Sequence, residues 1–523
     1  MGTQTIIKNP ILPGFNPDPS IIRVDDDYYI ATSTFEWYPG VPVYHSKDLV
    51  HWRHLTSILT NHSNFEGNPD SCSVWAPAIS YHDGIFYLVY TDVKRSKYPF
   101  KDAHNYLITA TNIMGPWSEP TFLNSGNFDP SLYHDENGKK WLLNVYWDYR
   151  IDGRNKSAGI MMQEYSPEER KLIGPIHKVF DGTELRKTEA PHIYKHNGYY
   201  YLFTAEGGTG KTHAVTVARA KEITGPYEVD PQNPMLTSAH NEQLYLQKAG
   251  HASLVQTQTN EWYIAHLCSR PIHGKHSILG RETALQRVNW TEDGWLRLSC
   301  GGNEPEVEVK APNLPLHSFP DDKNEMDDFN SDTLHKVWNS LRFAVDPSWC
   351  SLTERKGFLR IRGGESIHSL FKQHLIARRQ TDFSCEIETS LEFAPESFLQ
   401  MAGLVLYYNT DNYLYFYLSF DEEKGKCLDV MKCVRGEFEY IGKRLPIEGT
   451  GCRLKALIQL DEVTFSYAND DGDWLTIEDT YSIAHHSDEG NGFTGNFVGV
   501  CVQDMQGTKK HADFDYFYYK EKE

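Results

Sequence analysis

Glu189-Ala190-Pro191-His192-Ile193-Tyr194, a turn at Asn197-Gly198, and Tyr199-Tyr200-Tyr201-Leu202-Phe203 make one short phrase, and the chain repeats it five times. The other versions begin at Asp18-Pro19-Ser20-Ile21-Ile22, Ala76-Pro77-Ala78-Ile79-Ser80, Asp129-Pro130-Ser131-Leu132-Tyr133 and His251-Ala252-Ser253-Leu254-Val255. Each is an apolar strand, a turn and an aromatic-rich strand; Asp83-Gly84 and Asn197-Gly198 are hairpin signals because both turn positions require positive φ. The period, about 50–60 residues, matches one four-stranded blade, and no long helical periodicity interrupts it. An all-β, five-bladed β-propeller follows. Ring closure removes exposed sheet edges and leaves a central channel. If each repeat opens the innermost strand, its first side chains face that channel: Asp18, Trp75 with Ala76, Asp129, Glu189 with Ala190, and His251.

Outward from the repeats, 523 residues exceed one ordinary core. The propeller is expected over 1–310. A Pro-rich, acidic crossing follows at 311–325, and alternating strands return over 326–523, among them Leu404-Val405-Leu406-Tyr407-Tyr408 and Val498-Gly499-Val500-Cys501-Val502. Short antiparallel strands at this spacing favour a β-sandwich of concanavalin or jelly-roll type. A net charge of −20 argues against nucleic acid and anionic membranes as partners. No stretch approaches the roughly 20 apolar residues of a membrane helix. Met1-Gly2-Thr3-Gln4-Thr5 has no leader character, and the nine scattered cysteines show no paired spacing, so a reducing, cytoplasmic setting without structural zinc is expected.

A lone aspartate at a strand start is ordinarily a turn cap. Three acids at the mouth of one ring, Asp18, Asp129 and Glu189, repel one another, so the bland reading must supply protons or cations for all of them. A metal site and glycosidic-bond hydrolysis both meet that demand. Asp129 and Glu189 come from neighbouring blades, so the charge of one should keep the other protonated, as a general acid requires. Asp18 stands apart, across blade five, where a base can activate a water on the far face of a sugar; inversion follows from that spacing. Trp75 suits a sugar-stacking platform. His251 can hold a water, a cation or the orientation of the base.

The residues resemble the β-xylosidases of glycoside hydrolase family 43. The likeness is carried by Asn9-Pro10-Ile11-Leu12, Phe15-Asn16-Pro17-Asp18-Pro19-Ser20, Ser33-Thr34-Phe35-Glu36-Trp37, Val74-Trp75-Ala76-Pro77, Phe128-Asp129-Pro130-Ser131, Thr188-Glu189, Lys248-Ala249-Gly250-His251 and Leu279-Gly280-Arg281-Glu282-Thr283. It reaches the C-terminus through Phe493-Thr494-Gly495-Asn496-Phe497 and Ala512-Asp513-Phe514-Asp515. It implies Asp18 as general base, Glu189 as general acid and Asp129 as the group tuning pKa and orientation. It implies Arg281 on sugar hydroxyls, Phe35, Trp75, Phe128 and Thr209 around the glycone, Trp147 on the leaving-group side, and Phe497 lent by the sandwich to the pocket wall. The implied activity is release of xylose from the non-reducing end of β-1,4-xylo-oligosaccharides, with inversion, and a side activity on α-L-arabinofuranosides. The competing readings are a main α-L-arabinofuranosidase activity and a non-catalytic sugar-binding propeller. No cofactor is required, though a calcium ion near the propeller centre at His251 is compatible with the pattern, and a homo-oligomer, dimer or tetramer, is expected. The chain departs from the family in a short 270–279 segment and in Ala190, where glycine commonly follows the acid.

Overall fold

The hairpin of the opening phrase forms as its turn chemistry dictates. Glu189–His196 and Tyr199–Glu206 pair antiparallel around Asn197 and Gly198, whose φ values are 46° and 75°. Asp83 and Gly84, at 48° and 76°, do the same between Ser73–His82 and Ile85–Arg95. A computed structural model describes residues 5–60, 64–320, 324–469 and 472–522; the Met1-Gly2-Thr3-Gln4 start and part of the 311–325 crossing lie outside that range.

Five antiparallel sheets follow one another along the chain, their innermost strands being Ser20–Val24, Ser73–His82, Ser131–His134, Glu189–His196 and Gln247–Gln256. At every junction a side chain joins one innermost strand to the next. Ser20 Oγ accepts from the Ile79 amide, Ser80 Oγ meets His134 Nε2, and Ser131 Oγ donates to the Pro191 carbonyl. Tyr194 OH accepts from the Leu254 amide, and Ser253 Oγ from the Ile21 amide, which closes blade five on blade one. Apart from that of Ser80, these hydroxyls satisfy backbone groups of the neighbouring innermost strand in a buried ring. Outside the ring, Ile6–Lys8 pairs with Glu308–Lys310 and ties the two ends of the propeller together.

The sandwich begins with Met326–Asp327 and consists of an eight-stranded and a nine-stranded sheet. Ser384–Glu392 and Gly451–Gln459, in the first, mostly alternate between buried and half-buried positions, as a strand with one wet face should. Gln400–Asn409, Asn412–Asp421 and Phe497–Asp504, in the second, are buried along nearly their whole length. One face covers the sandwich core with Leu404, Phe416 and Val500, and the other covers the propeller with Val405, Tyr407 and Tyr415. The second sheet ends on a strand from the other domain: Trp37–Tyr38, from blade one, pairs with Asn339–Leu341. A single apolar cluster therefore joins Phe35, Trp75 and Phe128 of the propeller to the sandwich. Among the described residues the only helix is a single turn at Asp488–Gly490.

Candidate active site

The residues that open the innermost strands share a backbone device. Asp18, Asp129, Ala190 and His251, equivalent in the repeat, have φ values of 56°, 52°, 49° and 51°. Left-handed backbone at these points turns the chain at the channel mouth. Aspartate tolerates it, but at Ala190 it costs about 1 kcal/mol, which explains why glycine suits the position. Trp75 and Glu189 stand one residue ahead of that register, and the strand pairing slips after each of them. Both reach the mouth through a bulge.

Asp18, Asp129 and Glu189 converge on one cavity of about 370 Å³. Of the other residues expected there from sequence, Phe35, Trp75, Phe128, Trp147, Thr209, His251 and Arg281 line it as well. Phe497 does not. It starts a sheet strand and is wholly buried beneath the floor, stacked on Trp37 at 3.7 Å and edge-on to Phe15. The sandwich residue in the cavity is Phe493, on the preceding loop. Its place is set by a backbone contact in which the Asn496 amide donates to the Ile278 carbonyl at 2.8 Å. A Cβ on Gly495 would meet the Leu279 carbonyl at 2.7 Å, so the approach requires glycine there. Ile278 and Leu279, the end of the short 270–279 segment, are buried in the sandwich core.

Asp18 is the most tightly held of the three acids. Its Oδ1 accepts from Arg281 Nη1 at 2.9 Å, its Oδ2 from Ser33 Oγ at 2.6 Å, and His251 Nδ1 lies 3.5 Å from Oδ1. Burial pushes its pKa up, but Arg281, His251 and Ser33 outweigh burial and hold it below the ordinary aspartate value. Asp129 and Glu189 go the other way. Burial, then the charges of Glu189 and Asp18, lift Asp129 well above its ordinary value. Burial and Asp18 lift Glu189, against the pull of Lys101, Lys187 and Arg281. The two titrate as a unit and share a proton. The Ala190 amide donates to Asp129 Oδ2 at 3.2 Å, which favours the Asp129 anion, while Lys101, Lys187 and Arg281 favour that of Glu189.

Burial keeps His251 below the usual imidazole range despite Asp18, and pushes His213, whose Nδ1 meets the Lys248 carbonyl, down to about 3. Both rings are neutral near pH 7. Among the described residues, no three His, Cys, Asp or Glu side chains are grouped to share a metal ion. The walls are aromatic: Phe35–Trp75, Trp75–Phe128 and Phe128–Trp147 have centroids 6.2, 5.5 and 5.8 Å apart. The indole N–H groups of Trp75 and Trp147 donate to the Ser71 and Pro99 carbonyls. Under Glu189, the buried Glu206 carboxylate accepts from the Thr183 amide and from the hydroxyls of Thr183, Thr188 and Thr216, fixing the loop that leads to the acid. Sequence reasoning missed Lys101, His213 and Phe493, all in the cavity wall. For Phe493 a signal existed: an aromatic residue in a loop bounded by Gly492 and Gly495.

A carboxylate held ionised, facing a carboxyl pair that retains a proton, within an aromatic cavity, is the equipment of acid–base attack on a glycosidic bond. The comparisons agree. Residues 7–296 match the model of Glycosyl hydrolases family 43, and residues 326–520 that of the Beta xylosidase C-terminal Concanavalin A-like domain. The crystal structure of a xylan beta-1,4-xylosidase from Bacillus halodurans C-125 superposes with a TM-score of 0.97 at 54% identity, covering 98% of this chain and 100% of that one. A Beta-xylosidase of Bacillus subtilis (strain 168) is 47% identical over 99% of this chain and 100% of its own. A Xylosidase/arabinosidase 43B of Humicola insolens is 45% identical over 98% of this chain and 97% of its own. With both family models matched in order, the chain belongs to glycoside hydrolase family 43.

Proposed function

We propose that the protein is an inverting, exo-acting β-xylosidase that removes xylose from the non-reducing end of β-1,4-xylo-oligosaccharides, with α-L-arabinofuranosides as a side activity. The observation that carries this reading is the opposed ionisation of Asp18 and the Asp129–Glu189 pair within one cavity. Asp18 takes a proton from water as the water attacks the anomeric carbon, while Glu189 gives its proton to the departing glycosidic oxygen. Asp129 remains the anion that keeps Glu189 a weak enough acid to be protonated. Asp18 on blade one and Glu189 on blade four come from non-adjacent blades, an arrangement that favours water between base and sugar over direct attack by the carboxylate. Arg281 orients Asp18 and, with Thr209, presents donors to sugar hydroxyls. The loop carrying Phe493 closes one side, so the cavity admits a chain end. The side activity is supported by the relative named for both substrates.

The test is hydrolysis of xylobiose followed by NMR, in wild type and Glu189→Gln. Immediate appearance of α-xylose, lost in the variant, is expected. First appearance of β-xylose would remove Asp18 as a base acting through water. Cleavage of arabinofuranosides without xylobiose cleavage would make the arabinosidase the main activity.

A further inference from the structure

Lys101 ends the loop that joins Ile85–Arg95 to Asp102–Ala110, and its ammonium sits inside a cage of rings. Nζ is 4.6 Å from the centroid of Trp75, 5.0 Å from Phe128 and 4.7 Å from Trp147, all within the range of a cation–π contact. Among the described residues this ammonium makes no ion pair and no hydrogen bond. Its loop is braced against blade three: Trp147 Nε1 donates to the Pro99 carbonyl at 3.0 Å, Phe100 packs on Tyr149, and Lys156 lies over Tyr98. The cation is thus fixed in position without being neutralised by a direct partner.

We propose that Lys101 is the counter-ion of the Asp129–Glu189 pair, a positioning charge that the three-ring cage keeps unpaired so that it offsets the negative charge Glu189 acquires on protonating the leaving group. The inference rests on Glu189 being the acid. Before proton transfer the pair carries one negative charge, and afterwards two, with Asp18 a third nearby; uncompensated repulsion would make Glu189 too reluctant a donor. Three other cations face the pair or line its cavity. Arg281 is committed to Asp18 at 2.9 Å, whereas Lys187 and Arg154 are exposed and screened by water. Lys101 itself faces Glu189, Asp129 and the Cys72 thiol. Burial holds its amine below the usual lysine range, against the opposing pull of Glu189 and Asp129, and it is the foremost group drawing Glu189 down. The cage rings are also those expected around the sugar, so one set of aromatic faces fixes both the cation and the substrate.

The experiment compares wild type, Lys101→Met and Lys101→Arg on xylobiose, whose leaving group needs a proton, and on an aryl β-xyloside whose phenolate leaves without one. Loss of the cation should move the alkaline limb of kcat/KM upward by about one pH unit. It should also slow xylobiose by about tenfold more than the aryl substrate, with Arg retaining most of the wild-type behaviour. In Lys101→Ala, ethylammonium should enter the vacated cage and restore xylobiose turnover. If the Met variant keeps the wild-type alkaline limb and slows both substrates alike, and ethylammonium restores nothing, Lys101 only fills space and the inference is overturned. A wild type inactive on both substrates overturns the reading beneath it, and this one with it, before any variant is compared.

Discussion

Glu36 lies under the pocket wall, fully buried, beside the ion pair of buried Arg342 with half-buried Asp70. One carboxyl oxygen accepts from the Ser71 amide at 3.0 Å, and the other has no hydrogen-bond partner among the described residues. Burial, helped by Asp70 and only partly opposed by Arg342, pushes its pKa up to about 8 from an ordinary 4.5. A raised carboxyl pKa is a cost to the folded state. The native chain must keep a proton that the unfolded chain releases, so the penalty is absent below pH 4.5, grows as pH rises and levels off above about 8. At about 1.4 kcal/mol per unit, the penalty is roughly 3 kcal/mol at pH 7 and under about 1 kcal/mol at pH 5. Glu36→Gln keeps the acceptor for Ser71 and removes the titration. The variant should therefore melt near the wild type at pH 5 and about 3 °C above it at pH 7, the gap widening towards pH 8. Differential scanning fluorimetry of both proteins in matched buffers across that range provides the comparison. A gap that does not change with pH, or a variant that melts below wild type at pH 8, would refute the reasoning. Ser71 links this carboxyl to function, because its carbonyl accepts from Trp75 Nε1 and its hydroxyl from the Phe493 amide.

The pH profile of kcat/KM should be a bell. Activity falls on the acid side as Asp18 is protonated, below the ordinary aspartate value of 3.8, and on the alkaline side as the Asp129–Glu189 pair loses its proton, above the ordinary glutamate value of 4.5. An acid limb at about pH 5 or higher would contradict the hold of Arg281 on Asp18. Gly495→Ala should lower kcat/KM by about tenfold by pushing the Phe493 loop off the Leu279 carbonyl. Steady-state kinetics on xylobiose indistinguishable from wild type would show that the loop absorbs the extra methyl group.

Much of the propeller is legible because its signals are local. Asn-Gly and Asp-Gly turns, strand alternation and a recurring phrase each follow from backbone sterics within a few residues. The same register brings Asp18 and Asp129 to the mouth, and Glu189 one place ahead of it. What escapes depends on partners far along the chain. Lys101 lies in a loop outside the repeat, and only the fold brings it between rings from blades two and three. Phe493 and Phe497 lie four residues apart around Gly495, and although the flanking Gly492 marks Phe493 as a loop residue, only the fold shows that it enters the cavity while Phe497 stacks on Trp37. The serines that knit the blades were visible in the repeat as Ser20, Ser131 and Ser253, but their hydrogen bonds belong to the ring.

Trp37–Tyr38 leaves the propeller to finish a sheet of the sandwich, and the cost of that exchange falls on modularity. The catalytic domain is not a cassette that recombination could move to another scaffold. Cut free, it would carry a stray strand, an uncovered aromatic face and a substrate pocket missing one wall. Any lineage that gained or lost the second domain would have had to recast the connection between Asp27–Ala31 and Gly40–Ser46 in the same step, so the two halves are expected to be inherited, and to diverge, as a single unit.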